Sequence, residues 1–223
     1  MAKISSAEAQ QARRLAMVNG QLRTGDVVDK EVLAAFLEAR REAFVAPDFV
    51  ELAYLDRDAP ALGAKRRRLL PPLTLARMLQ AAAVKAGDRA LDVGGGSGYG
   101  AAILAFMGAK VVALESDPGA AAAARELLSG LEKVTVVHGP LDSGAQKLGL
   151  FDLIVVEGAF QISPDPLLAL LDDGGRLVGI DATMGASQAA LYDKRGEGLS
   201  RRALFETTAE TLDGFHAGIR FVF

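Results

Sequence analysis

The fold is decided by the stretch Leu91-Asp92-Val93-Gly94-Gly95-Gly96-Ser97-Gly98-Tyr99-Gly100. Its first three residues read as the end of a buried strand, and the residues from Tyr99 onward predict a helix. The glycines between them let the backbone turn sharply and let a ligand approach without Cβ clashes. The N-terminus of the following helix offers free N–H groups to an anionic group. The stretch therefore predicts a strand, a ligand-binding loop and a helix.

Short apolar runs and helical stretches alternate on both sides of this loop. Strands are predicted at Ala90–Val93, Val111–Glu115, Val134–His138, Phe151–Glu157 and Arg176–Ile180. Helices are predicted at Tyr99–Met107, Gly119–Leu128 and Pro166–Leu171. This order is typical of an α/β fold, here a doubly wound, mostly parallel, Rossmann-like sheet.

The tail departs from this alternation. Strand-like runs follow one another at Ala189–Tyr192, Arg201–Phe205 and Phe215–Phe223, without long helices between them. They predict antiparallel C-terminal edge strands, the first two joined by a turn over Lys194–Gly198.

Residues 1–85 predict a helical N-terminal cap that also contains an irregular segment, Pro47–Leu70. Ser5-Ser6-Ala7-Glu8 has the spacing of a capping box, a second helix is expected from Asp29, and a third after Pro71-Pro72. The apolar faces expected on these helices are Leu15, Val18 and Leu22, then Val32, Leu33, Phe36 and Leu37, then Leu75, Ala76 and Leu79. Residues 86–223 form the ligand-binding part, and the two parts are expected to make one compact unit.

Composition excludes several classes of protein. The chain has 223 residues, no cysteine and a net charge of −3, which argues against a disulfide scaffold, thiol chemistry and non-specific nucleic-acid binding. No signal-peptide or membrane-span pattern is found, so we expect a cytoplasmic protein without a membrane partner. His138 and His216 have no cysteine or acidic cluster around them, and no metal site is expected.

Glu115 strengthens the ligand argument. It ends the next predicted strand about 20 residues after Gly94, where an acidic side chain reaches two ribose hydroxyls. A dinucleotide motif fits only in a shifted frame, through Gly96, Gly98 and Ala101. Gly94, Gly96 and Gly98, preceded by Asp92, resemble instead the first motif of S-adenosylmethionine-dependent methyltransferases. A glycine loop without a ligand is the third interpretation.

The N-terminal block narrows the resemblance to the protein-L-isoaspartate O-methyltransferase family. The matching stretches span most of the chain in the family order: 17–23, 41–47, 51–54, 75–79, the Asp92 loop, 151–156 and 171–178. The resemblance implies a methyltransferase domain with a helical cap, and methyl transfer to the α-carboxyl of isoaspartyl residues in proteins or peptides. The cofactor positions implied or expected are Asp92, Gly94, Gly95, Gly96, Ser97, Gly98, Glu115, Ser116, Pro140, Leu141 and Glu157.

Two departures from the family pattern stand out. The family usually carries a threonine and a serine beside the reacting carboxylate, and here those positions are Arg68 and Leu70. After the third strand of the methyltransferase domain, Gly139-Pro140-Leu141 replaces the usual Gly-Asp-Gly, with Asp142 two places late. Three interpretations follow: an isoaspartyl methyltransferase with altered anchoring and weak activity, a methyltransferase for another nucleophile, or a cofactor-binding protein without activity.

Some residues keep more than one interpretation. Lys65-Arg66-Arg67-Arg68 is either a solvated loop or a contact for an anionic or acidic substrate. Glu157 is expected at the carboxyl edge of the sheet, facing the sulfonium, the acceptor or only the rim. Tyr99 packs either on the cofactor or in the core.

Overall fold

The computed structural model describes residues 6–218. Its strands are β1 (Ala59–Pro60), β2 (Arg68–Leu69), β3 (Arg89–Val93), β4 (Lys110–Glu115), β5 (Val134–His138), β6 (Phe151–Phe160), β7 (Leu171–Asp181), β8 (Gln188–Arg195) and β9 (Gly198–Glu206). Its α-helices are α1 (Ser6–Met17), α2 (Lys30–Glu38), α3 (Pro72–Ala81), α4 (Tyr99–Phe106), α5 (Pro118–Leu127) and α6 (Asp165–Leu168). Strands and helices alternate after β3, as the sequence predicts.

The central sheet has the order β5-β4-β3-β6-β7-β8-β9. The strands from β5 to β7 are parallel, whereas β8 and β9 are antiparallel. In a parallel sheet the carboxyl ends of the strands meet at one edge, so the ends of β3, β4 and β6 lie together. The predicted fold class is therefore confirmed, and β6 runs three residues past its predicted end at Glu157.

The three predicted N-terminal helices are present, and the apolar face of the first differs from the prediction. Asp29 caps α2, because its carboxylate accepts from the backbone N–H groups of Glu31 and Val32. The predicted stripe on the first helix is partly wrong: Leu15 is half exposed, and Val18 and Leu22 are buried in a π-helical turn, Val18–Leu22, that follows α1. Ser5 of the predicted capping box lies outside the described residues.

Short structured pieces occupy the segment that the sequence left irregular. Within Pro47–Leu70, a 3₁₀ turn covers Pro47–Leu52, and β1 pairs antiparallel with β2. Two more short 3₁₀ turns, Arg23–Gly25 and Arg41–Ala43, precede this segment. One hydrophobic cluster contains side chains from α2, α3 and α4, and Leu69 of β2 belongs to it as well. The N-terminal part and the sheet therefore share a core.

The tail differs from the expectation. The predicted strand Phe215–Phe223 is wrong for residues 215–218, which form no strand, and residues 219–223 lie outside the described part of the chain. Ahead of it, the backbone at 210–212 pairs with Ala159 at the end of β6. The last predicted helix, Pro166–Leu171, is shorter than expected, because β7 already begins at Leu171. Among the described residues, no helix is long and apolar enough to cross a membrane.

Candidate active site

The glycine loop lies at the carboxyl edge of the sheet between β3 and α4. Gly94, Gly96 and Gly98 have φ angles of 73°, 63° and 94°, which only glycine adopts without strain. A Cβ atom at Gly96 would lie 2.8 Å from the Cβ of Ala61 and 3.1 Å from the Cγ of Arg67. The middle glycine therefore admits the β1–β2 segment of the chain, whereas the sequence argument expected it to make room for a ligand.

The loop also fastens the sheet to the N-terminal part. The hydroxyl of Ser97, which is fully buried, donates to the backbone carbonyl of Phe44. The ring of Tyr99 is buried and packs edge-on against Phe36 and Phe44, at centroid distances of 6.0 and 5.6 Å. Tyr99 thus takes the core role, the second of its two interpretations.

Glu115 ends β4, next to this loop. Its Oε2 accepts from the N–H of Gly96 at 2.8 Å, and its Oε1 accepts from the N–H groups of Ser116 at 2.7 Å and Asp117 at 2.9 Å. The Nε of Arg67 lies 3.5 Å from Oε1, and both side chains are buried. An arginine from the N-terminal part therefore occupies one side of the carboxylate that the sequence assigns to a ribose.

Two other acidic side chains are buried at the same edge. Asp92 of β3 and Glu157 of β6 are 1% and 2% exposed, and their carboxylate oxygens have no hydrogen-bond partner among the described residues. Burial, and then the neighbouring Glu157, raise the pKa of Asp92 well above its usual range. Burial likewise raises the pKa of Glu157. Gly100 leaves room for the Glu157 carboxylate, since a Cβ there would overlap Oε1.

Arg41 contacts the backbone of Leu70, one of the two positions where this chain lacks the family hydroxyls. It is fully buried, with its Nε donating to the carbonyl of Ala53 at 2.8 Å and its Nη2 to that of Leu70 at 2.9 Å. Its guanidinium carbon lies 4.8 Å from the centroid of the Tyr99 ring. Burial lowers the pKa of Arg41. The backbone carbonyl of Leu70 is therefore fixed by a hydrogen bond from a buried arginine, to which the sequence analysis assigned no role.

The two positions that lack the family hydroxyls differ in their environment. Leu70 is buried in the core beneath a cleft, at 4% exposure. Arg68 is half-buried and forms an ion pair with Asp58, so its guanidinium already has a partner. In the basic run, Lys65 and Arg66 are exposed, whereas Arg67 and Arg68 are partly buried. The interpretation as a solvated loop therefore fits Lys65 and Arg66 only.

Two clefts meet at Arg67 and Arg68. The first has a volume of about 470 Å³, and its lining includes Arg57, Leu70 and Glu157. The second, about 1060 Å³, is lined on one side by Ser116 and Asp117 and on the other by the basic run and Asp213. Glu157 thus borders the first cleft, and the residues after Glu115 border the second.

The remaining predicted positions lie around Gly94. Leu141 is buried, and its side chain and that of Leu212 would both contact a Cβ at Gly94. Pro140 is exposed beside it. The hydroxyl of Ser116 donates to Asp213 at 3.1 Å. Leu212 and Asp213 were not found from the sequence, because they come from the tail and no motif marks them.

No group of three or more potential metal ligands occurs among residues 6–218, so the described chain offers no clustered metal site. Three acidic side chains, Asp92, Glu115 and Glu157, are buried at this edge of the sheet. A Rossmann-like sheet with a glycine loop, an acidic residue ending the next strand and buried acids at the edge defines the class of S-adenosylmethionine-dependent methyltransferases.

The comparisons with known proteins narrow this class. The family model for protein-L-isoaspartate(D-aspartate) O-methyltransferase matches residues 12–208. A protein-L-isoaspartate O-methyltransferase of Methanoculleus marisnigri is 38% identical over 164 residues, 73% of this chain and 74% of that protein. One of Methylorubrum populi is 38% identical over 75% of this chain and 78% of its own length. The chain belongs to the protein-L-isoaspartate O-methyltransferase family, and it is a methyltransferase whose cofactor is S-adenosylmethionine.

Solved structures agree on the fold. A putative protein-L-isoaspartate O-methyltransferase of Plasmodium falciparum, in complex with S-adenosyl-L-homocysteine, has a TM-score of 0.77 and 22% identity. The alignment covers 89% of this chain and 97% of that one. Another protein-L-isoaspartate O-methyltransferase has a TM-score of 0.78 and 22% identity over 92% of this chain and 66% of its own.

The residues at the edge of the sheet fit this cofactor chemically. S-adenosylmethionine carries an ammonium and a sulfonium, and the unpartnered buried carboxylates of Asp92 and Glu157 need positive charge or hydrogen-bond donors. A ribose brings two hydroxyl donors, and Glu115 offers carboxylate oxygens at the end of β4. These three carboxylates are therefore chemically complementary to the cationic groups and the ribose hydroxyls of the cofactor.

Proposed function

We propose that this chain transfers a methyl group to the α-carboxylate of isoaspartyl residues in peptides or proteins, with arginine side chains in place of the family hydroxyls. The observation that carries the proposal is the position of Arg57. This side chain is exposed on the lining of the first cleft, together with Leu70 and Glu157. Within residues 6–218, no carboxylate lies within ion-pair distance of Arg57. A cation without a carboxylate partner suits an anionic acceptor.

The chemistry asks little of the protein beyond positioning. The cofactor supplies an electrophilic methyl group, which forms an ester with an acceptor oxygen as the carbon–sulfur bond breaks. An ionised carboxylate needs no general base, so the chain must hold it in line and exclude water. In the first cleft, Leu70 provides an apolar surface that excludes water, and Arg57 provides a positive charge for the acceptor carboxylate.

The cofactor-binding roles of the predicted residues are part of this proposal. Glu115 accepts hydrogen bonds from the ribose hydroxyls, and Asp92 faces the cationic end. The loop from Gly94 to Gly98 shapes the turn between them, with Ser116, Pro140 and Leu141 at the nucleoside side. Support comes from their joint position at the carboxyl edge of β3 and β4.

The test is a methyl-transfer assay on an isoaspartyl peptide, with the aspartyl peptide of the same sequence as control. We expect transfer to the isoaspartyl peptide alone. Arg57→Gln should raise the KM for the peptide about tenfold, the scale of one charge-assisted hydrogen bond, with unchanged affinity for S-adenosylhomocysteine. Arg202→Gln, the same change at an exposed position on β9, should leave KM unchanged. Equal rates on both peptides, or no effect of Arg57→Gln, contradict the proposal.

Glu157 favours a second candidate, a methyltransferase for an acceptor that carries a proton. A buried acid with a raised pKa that borders the first cleft is suited to accept a proton from a hydroxyl or an amine. The same assay separates the two candidates. Transfer to an alcohol or amine acceptor that is lost in Glu157→Gln, without transfer to the isoaspartyl peptide, selects the second.

A further inference from the structure

Arg67 has contacts that none of the assigned roles explains. Its Nε lies 3.5 Å from Oε1 of Glu115, and its Nη2 lies 3.5 Å from the Ser116 hydroxyl and 3.7 Å from Oδ2 of Asp213. The Arg67 side chain is only 8% exposed. The nucleoside side of the site is thus filled by a guanidinium that comes from the N-terminal part of the chain.

The backbone holds Arg67 in this place. Its carbonyl accepts from the N–H of Ala61 at 3.0 Å, within the pairing of β1 and β2. Its Cγ lies over Gly96, which has no side chain to keep it away. Because the backbone is anchored, the part of Arg67 free to change position is the end of the side chain.

The carboxylate of Glu115 already has three backbone donors and a neighbouring guanidinium in this arrangement. Three backbone N–H groups and Arg67 surround it, and the Glu115 side chain is 3% exposed. The backbone donors belong to the glycine loop and to the turn after β4, so they stay where the fold puts them. Arg67 reaches Glu115 through a side chain, so a ribose hydroxyl that approaches Oε1 from that side competes with its guanidinium.

The first cleft offers a nearby position for the displaced guanidinium. Arg67 lines both clefts, the one beside Ser116 and Asp117 and the one beside Leu70 and Glu157. An arginine side chain has several rotatable bonds, and rotation about the terminal ones would carry its guanidinium from one cleft towards the other. In the second position it stands beside Arg57, where its charge again needs an anion.

We propose that Arg67 couples the two halves of the site: it is the counter-ion of Glu115 while the cofactor site is empty, and cofactor binding moves it to the acceptor cleft, where it pairs with the acceptor carboxylate. Arg67 is then a positioning residue that makes the two ligands bind cooperatively. This inference rests on the proposed function, because it needs an anionic acceptor. Coupling through one residue is reciprocal, so either ligand raises the affinity for the other by the same factor.

The experiment is calorimetric titration of the full-length chain with S-adenosylhomocysteine, with and without saturating isoaspartyl peptide. In the wild-type protein we expect the peptide to raise the affinity for S-adenosylhomocysteine at least about fivefold, within the usual range of coupling. In Arg67→Gln the affinity without peptide should rise severalfold, since the competitor for Glu115 is gone, and the effect of the peptide should disappear. Arg202→Gln removes the same charge at an exposed position on β9, outside both clefts, and should keep the coupling.

Arg67→Lys guards against a folding defect in Arg67→Gln, because it retains the charge and the aliphatic stem over Gly96. It should keep part of the coupling. A lower or unchanged affinity for S-adenosylhomocysteine in Arg67→Gln, or coupling that survives in it, overturns the inference. If the wild-type protein neither binds nor methylates the isoaspartyl peptide, the proposed function fails. In that case the titrations with S-adenosylhomocysteine in the absence of peptide still test whether Arg67 competes with the ligand for Glu115.

Discussion

Asp92 and Glu157 bring two carboxyl groups together at the carboxyl ends of neighbouring parallel strands, with no hydrogen-bond partner for either among the described residues. Asp92 stands opposite Val155 in the pairing of β3 with β6, and Glu157 follows two residues later on the same strand. Two buried acids in contact cannot both ionise without a large free-energy cost. Without a cation beside it, the pair favours a form in which one acid keeps its proton, and a cationic ligand favours the charged form.

The first prediction concerns the dependence of stability on pH. A raised pKa in the folded state means that the folded chain binds more protons than the unfolded chain above about pH 4, where an unfolded aspartate ionises. The free energy of unfolding of the ligand-free protein should therefore fall as pH rises above about 4, until the folded chain has also lost this proton. The fall is roughly 1.4 kcal/mol per pH unit wherever the folded chain holds one proton more than the unfolded chain.

Asp92→Asn should remove part of this slope in denaturant titrations at several pH values. Asp48→Asn, at an exposed position, provides the control and should leave the slope as it is. Identical slopes in the wild-type protein and Asp92→Asn would show that the aspartate is already ionised in the folded state.

The second prediction concerns Glu115. Glu115→Gln keeps the shape of the side chain but removes its charge and one acceptor group. We expect the affinity for S-adenosylhomocysteine to fall by about 1–3 kcal/mol, the scale of a charge-assisted hydrogen bond. Thermal stability should also drop, since Glu115 holds the N–H groups of Gly96, Ser116 and Asp117. Calorimetry and thermal unfolding measure the two effects, and unchanged affinity in a folded variant would rule out the ribose role.

The third prediction concerns the lost hydroxyls. The double change Arg68→Thr with Leu70→Ser restores the family residue types, and it should raise the rate on an isoaspartyl peptide by up to about 100-fold through better positioning. Arg68 is already paired with Asp58, so its loss removes no free cation from the cleft.

Stability must be measured alongside, because Leu70 is buried and its truncation costs about 2–5 kcal/mol. The rates are therefore compared at a temperature where both proteins are folded. A double variant slower than the wild-type protein would mean that the arginines alone provide the anchoring.

The fourth prediction concerns a buried ion pair away from the site. Arg176 of β7 bonds the carboxylate of Asp88 at 2.5 Å and also the carbonyls of Ala82, Ala83 and Asp152. Asp88→Ala leaves this guanidinium buried without its counter-charge, so the free energy of unfolding should fall by about 3–5 kcal/mol. Asp58→Ala breaks a more exposed pair and should cost about 0–1 kcal/mol. Similar losses in the two variants, measured by denaturant unfolding, would contradict this difference.

Local patterns carried most of the fold prediction. The turn at Gly94–Gly98 and the cap at Asp29 depend on residues close in the chain, and both are where the sequence places them. The alternation of strands and helices likewise predicted the parallel sheet. Errors fall where local pattern and burial disagree, as at Leu15, whose apolar side chain is half exposed. The same holds for the tail, where alternating aromatic residues at 215–218 form no strand.

The sequence by itself determined the class of fold, the family, the glycine loop after β3 and the acidic residue ending β4, because each is set by residue types at short, regular spacings. Only the tertiary structure decided that Arg57 has no carboxylate partner among residues 6–218, that Arg67 lies against Glu115 and that Asp92 meets Glu157. These contacts join residues tens of positions apart. Strand order and the packing of the N-terminal part on the sheet bring them together, and no local spacing contains that information.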